Sequence, residues 1–75
     1  MEKEIVPIRT ATITMDKLLK LTGIASTGGQ AFMMVESGEV LLNGQVVQEK
    51  RRQVRPGDVV TVSDQVELVI TKREA

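Results

Sequence analysis

The spacing of apolar and polar positions changes period along the chain. Residues 5–13 mix Ile5, Val6, Ile8 and Ile13 with threonines, and β-branched side chains of this kind favour extended backbone. Pro7 has no N–H to give to a ladder, so the stretch reads as an edge strand or an arm. Met15, Leu18 and Leu19 then fall at i, i+3 and i+4, the spacing of one helical stripe. Thr14 is the candidate N-cap, and Asp16 suits the dipole of the first turn. Gly23 is the candidate C′ residue, with Ile24 supplying the apolar contact that accompanies it. A short helix over about residues 15–22 follows.

A second helix is announced by Thr27-Gly28-Gly29-Gln30, a capping box with a hydroxyl at the cap and an amide three residues on. Ala31, Met34 and Val35 carry its apolar stripe, and Gly38 stops it. Phe32 and Met33 fall off the stripe, on a face that should be wet. Beyond Gly38 the period becomes two. Val40 and Leu42 lead into Asn43-Gly44, the strongest short hairpin signal, and Gln45, Val46 and Val47 return from it. Residues 48–55 are polar and basic and read as a loop. Pro56-Gly57-Asp58 is a turn, since proline presets φ and glycine accepts a positive one. Val59 to Val62 is a strand, Ser63-Asp64-Gln65 a turn, Val66 to Thr71 a last strand, and Lys72 to Ala75 a frayed tail.

These elements predict an α+β fold, two short helices packed on a small, mostly antiparallel sheet. The candidate core is Ile13, Leu18, Leu19, Ile24, Ala31, Val35, Val40, Leu42, Val47, Val54, Val60, Val62, Leu68 and Ile70. The 75 residues support a single domain over 1–75, with 1–13 as an N-terminal extended arm or strand. At this size the margin of stability is thin.

Composition removes most chemistry. The chain has no cysteine and no histidine, so it lacks thiolate and imidazole metal ligands and the usual general base. Glu36 and Glu39 have no partner base, and such a pair is ordinarily just solvated. A ubiquitin-like sulfur carrier would end in Gly-Gly, whereas this chain ends Lys72-Arg73-Glu74-Ala75. A non-enzyme with no cofactor and no metal is expected. No apolar run approaches the roughly 18–20 residues of a membrane span, and the opening Glu2-Lys3-Glu4 is not a secretory signal, so a cytoplasmic protein away from membranes is expected. Ten basic residues balance ten acidic ones, but Lys50, Arg51, Arg52 and Arg55 cluster with no acid among them. Such a cluster is a local electrostatic footprint.

From Thr14 to Val62 the order of pieces resembles the S-four RNA-binding domain, named after the fourth protein of the small ribosomal subunit. The resemblance lies in Met15-Asp16-Lys17-Leu18-Leu19, Thr27-Gly28-Gly29-Gln30-Ala31, Gly38-Glu39-Val40-Leu41-Leu42-Asn43-Gly44 and Arg55-Pro56-Gly57-Asp58-Val59-Val60. The Gly28-Gly29 pair in so short a chain is similar to the free-standing bacterial YaaA-like group. The resemblance implies an alpha-L RNA-binding architecture over residues 14–62. It puts Lys17, Thr27, Gly28, Gly29, Gln30 and the basic loop on or near an RNA surface. Taken alone, Gly28-Gly29 is also a plain loop-to-helix entry, and the Lys50–Arg55 stretch a solvated loop.

The chain also departs from that pattern. Many members carry arginine where this chain has Thr14 and another where it has Gly28, and others carry lysine or arginine at the positions of Phe32 and Met33. Three readings of Phe32 and Met33 stay open: stacking on an unpaired base, contact with a protein, or cover by the N-terminal arm through Ile5 and Ile8. The expected function is non-catalytic binding of structured RNA, ribosomal or transfer RNA. Lys50, Arg51, Arg52 and Arg55 would neutralise phosphates, helped by Lys17, Lys20 and the start of the second helix. The alternative is a protein-interaction module, ribosomal particles being one setting for it, that kept the fold and lost much of the RNA surface.

Overall fold

The structure is a computed structural model that describes residues 1–73. Nine elements follow in chain order: β1 (Glu2–Ile8), β2 (Ile13–Thr14), α1 (Met15–Leu21), α2 (Gly28–Glu36), β3 (Val40–Leu42), β4 (Gln45–Val46), β5 (Gln53–Val54), β6 (Val59–Val62) and β7 (Val66–Lys72). Five strands form one sheet in the order β1-β7-β6-β3-β4, and β2 and β5 pair separately. All pairings are antiparallel except β1 with β7.

One face of the sheet is apolar because strand side chains alternate. Val6, Ile8, Val40, Leu42, Val60, Val62, Leu68 and Ile70 are buried there, against Met15, Leu18 and Leu19 of α1 and Ala31 and Val35 of α2. Ile13 and Ile24, read as core, are only partly buried and pack on its rim. Val6, Ile8 and Ala25 join the core although no strand or helix period singled them out for it, and so does Met15, which lies on the apolar stripe of α1 but was not among the candidate core residues.

The N-terminal stretch is a true strand. Glu2 N–H donates to Gln65 O, and Arg73 N–H donates to Ile8 O. In this parallel register the even-numbered residues of β1 turn their backbone groups toward β7. Pro7 therefore places its missing donor on the free edge, where no ladder bond is lost and a further strand is discouraged from pairing.

Three local readings need correction. Residues 48–55 are not all loop, because Gln53 and Val54 pair with Thr14 and Ile13. Lys72 does not fray; it closes β7 opposite Ile8, while Glu74 and Ala75 lie outside the described residues. The N-terminal arm does not cover Phe32 and Met33. It is held in the sheet as the edge strand beside β7, and those side chains remain 43% and 69% exposed.

The hairpin reading holds. Asn43 and Gly44 take φ of 50° and 86°, the left-handed pair that a two-residue turn needs between twisted strands. At the opposite end of β3, Ser37 Oγ and Ser63 Oγ donate to the two oxygens of Glu39 at 2.6 and 2.7 Å. These bonds, the Ser37 one foremost, hold the Glu39 carboxyl below its ordinary 4.5. A depressed folded pKa supports the fold above the unfolded value, and that support is lost as pH falls through the folded pKa. Ser37→Ala combined with Ser63→Ala should raise the Glu39 pKa toward 4.5 in an NMR titration. A titration identical to wild type would show that the serines do not hold the carboxylate.

Candidate nucleic-acid interface

A seven-residue helix cannot satisfy its own first N–H groups, and α1 does not use the expected side chain to do so. Thr14 occupies the N-cap position but its hydroxyl makes no capping bond. The basic segment supplies the acceptors instead. Met15 N–H donates to Arg52 O at 2.9 Å, and Asp16 N–H donates to Lys50 O at 2.8 Å. With β5 paired to β2, these bonds pin the segment across the start of α1, so its backbone and Val54 face inward and its charged side chains face water. Lys50, Arg51, Arg52 and Arg55 are all exposed.

Lys17 joins this cluster, because it lines one cleft with Arg51, Gln53, Thr14 and Asp16. The nearby Thr14 hydroxyl is the main cause that keeps the Asp16 carboxyl below the usual carboxylate range, against the opposing effect of burial. The N–H groups of Lys17 and Asp16 and the Lys50 charge act in the same direction as Thr14. The approach stops short of hydrogen-bond geometry, leaving Thr14 Oγ1 and Asp16 Oδ1 enclosed without a partner. A second open groove runs past Arg51, Arg52 and Arg55 beside Asn43 and Asp58. Glu49 lines it too and tempers the charge. Among the described residues no salt bridge engages Lys17, Lys50, Arg51, Arg52 or Arg55. Their charges are free for an anionic partner. Lys20 stands exposed one turn beyond Lys17, in the last turn of α1.

The start of α2 is open where the start of α1 is plugged. Thr27 Oγ1 accepts from Gln30 N–H at 3.1 Å, as the capping box requires. Gln30 Oε1 accepts from Ser26 N–H at 2.7 Å, one residue earlier than the motif's usual partner. Among the described residues the N–H groups of Gly28 and Gly29 donate to no protein acceptor. A Cβ at Gly28 would meet nothing within 4 Å. The pair is therefore not demanded by packing, and it leaves a bare backbone with two free donors at the positive end of a helix.

Two contacts across long stretches of chain have no sequence signal. Lys50 Nζ lies 5.4 Å from the centroid of the Phe32 ring, joining the basic segment to α2. Asn43 ties the hairpin to the Pro56-Gly57-Asp58 turn. Its Nδ2 donates to Asp58 Oδ1 at 3.1 Å, and its Oδ1 accepts from Val59 N–H at 2.9 Å. Asp58 Oδ2 also accepts from Arg55 N–H at 2.9 Å, which sets where Arg55 leaves the turn.

A family model described as the S4 domain matches residues 6–71, from β1 through β7. The chain belongs to the S4-domain family. The match takes in the parallel β1–β7 pair and so is wider than residues 14–62. The chain is 31% identical over 68 residues to the small ribosomal subunit protein uS4 of Kosmotoga olearia, covering 91% of this chain and 33% of that protein. It is 36% identical over 56 residues to the tyrosine–tRNA ligase of Nitrosomonas europaea, covering 75% of this chain and 13% of the ligase. This S4 domain thus spans a third or less of the curated relatives it matches. The crystal structure of the 30S ribosomal protein S4e from Thermoplasma acidophilum has the same fold. Its TM-score is 0.55 at 24% identity, over 73% of this chain and 29% of that one.

On this S4 domain the expected residues do not all gather in one place. Lys17, Lys50, Arg51, Arg52 and Arg55 form one strip over the start of α1. Phe32 adjoins it through Lys50. Thr27, Gly28, Gly29 and Gln30 lie one turn before Phe32 on the same helix, and Met33 is exposed beside it. Among the described residues no group of three or more carboxylates is placed to hold a metal ion, and no helix is long and apolar enough to cross a membrane.

Proposed function

We propose that this protein is a non-catalytic RNA-binding protein that takes structured ribosomal or transfer RNA. The observation that carries the reading is the strip of exposed cations, in no salt bridge among the described residues, beside an open helix N-terminus. Phosphate contacts supply much of the affinity for nucleic acid, and both features present positive charge and N–H donors to phosphate oxygens. Membership of the S4-domain family supports an RNA-binding role. The ribosomal proteins and the tRNA ligase among the relatives support ribosomal or transfer RNA as its class.

The experiment is sedimentation of tagged protein with ribosomal subunits, with and without RNase, alongside titration of purified ribosomal and transfer RNA. RNase-sensitive co-sedimentation with direct binding of purified RNA is the expected result. Co-sedimentation without any binding of purified RNA would instead favour the protein-interaction module, for which the 69% exposed Met33 is the supporting observation.

A further inference from the structure

Phe32 is the protein's single aromatic residue, and it is spent on a half-exposed position rather than in the core. Its ring lies under Lys50 Nζ, at the end of the cationic strip where the basic segment meets α2. Helical side chains lean toward the helix N-terminus, so Phe32 leans over the turn that bears the free N–H groups of Gly28 and Gly29. An apolar platform, an ammonium group and two backbone donors thus adjoin one another.

We propose that Phe32 is a stacking platform for one unpaired RNA base, with Lys50 placed to take that nucleotide's phosphate. The proposal rests on the RNA-binding reading and deepens it, since it names the kind of RNA. A nucleotide carries both complements in one unit, a flat base for the ring and a phosphate for the ammonium and the helix N-terminus. An apolar protein surface would match Phe32 but would strip water from Lys50 without offering an anion, which is costly. Bases inside a duplex present no free face, so this platform selects a loop, a bulge or an end over continuous helix. The uncharged helix face is then a surface for base contact. The exposed Met33 thioether widens the same surface.

The chain contains no tryptophan or tyrosine, so Phe32→Trp installs a single fluorophore at the platform. The probes are an RNA hairpin with an unpaired loop and a blunt duplex of the same stem. The indole emission should be quenched on saturation with the hairpin and unchanged with the duplex. Phe32→Ala and Phe32→Leu should each weaken hairpin binding by roughly tenfold or more, the range of base–aromatic stacking. They should leave duplex binding and the salt dependence of binding as in wild type, because no ion pair is removed, and should lower the melting temperature by only a few degrees through the lost Lys50 contact.

Wild-type hairpin affinity in Phe32→Ala, or unquenched emission at saturation, would overturn the proposal. So would full rescue by Phe32→Leu, which keeps apolar bulk but no π-face. If alanine at Lys50, Arg51, Arg52 and Arg55 abolishes hairpin binding while Phe32→Ala does not, stacking fails and the RNA-binding reading stands. If wild type binds neither RNA, both fall.

Discussion

Replacing Lys50, Arg51, Arg52 and Arg55 together by alanine should weaken RNA binding by roughly two to three orders of magnitude at about 0.1 M salt, if each neutralised phosphate contributes about −0.7 to −0.9 to the log–log salt slope. For four contacts the slope itself should flatten by about 3. The geometry makes this a clean test. The segment serves the fold through its backbone, whose Lys50 and Arg52 carbonyls accept from the first N–H groups of α1, and through Val54, which is buried. The four side chains are exposed and enter no protein salt bridge among the described residues. Their removal should change stability by only about 0.5 kcal/mol each, with up to about 1 for the Lys50 contact to Phe32. Titration over a salt series, with a thermal melt as control, reads both quantities. An unchanged slope in a folded variant would show that these charges do not meet phosphate.

The second large effect is expected at the hairpin. Asn43→Ala removes the donor to Asp58 and the acceptor for Val59 N–H, and it puts an alanine at a φ of 50°. Two hydrogen bonds, one to a carboxylate, and a left-handed residue together imply a loss of about 2–4 kcal/mol. That is a large share of the stability of a domain this size, and the melting temperature should fall by roughly 10–20 °C. Asn43→Gly separates the causes, because glycine tolerates the φ and lacks only the side chain. It should be the milder variant by about 1 kcal/mol. Gly44→Val isolates the backbone cost in the same turn. No atom lies within 4 Å of a Cβ built there, so its expected loss of about 1–3 kcal/mol is strain at φ 86° alone. A melt within a degree or two of wild type for both Asn43→Ala and Gly44→Val would refute the clasp. The clasp also bears on binding, since Asp58 fixes the backbone of Arg55.

The two helices, the Asn43-Gly44 hairpin, the Pro56-Gly57-Asp58 turn and the edge character of the Pro7 strand were all legible in the chain. Each depends on physics that acts within a few residues. A helical stripe needs neighbours at three and four positions, a left-handed φ needs asparagine or glycine at that place, and a missing N–H belongs to proline itself. The cluster from Lys50 to Arg55 was legible for the same reason, as charge adjacent in sequence. Tertiary structure alone decided which distant pieces meet. The parallel pairing of Glu2–Ile8 with Val66–Lys72 joins the two ends of the chain, and nothing local specifies that partner or its register. Thr14 looked like a cap by residue type, yet backbone carbonyls more than thirty residues on took the first N–H groups of α1, because the pairing of β2 with β5 brings them within hydrogen-bond distance. Phe32 meets Lys50 and Asn43 meets Asp58 only after the strands between them have paired. Residue types state what a side chain can offer, whereas partners far apart in sequence are selected by packing of the whole core, and that selection joined a basic loop to an aromatic ring.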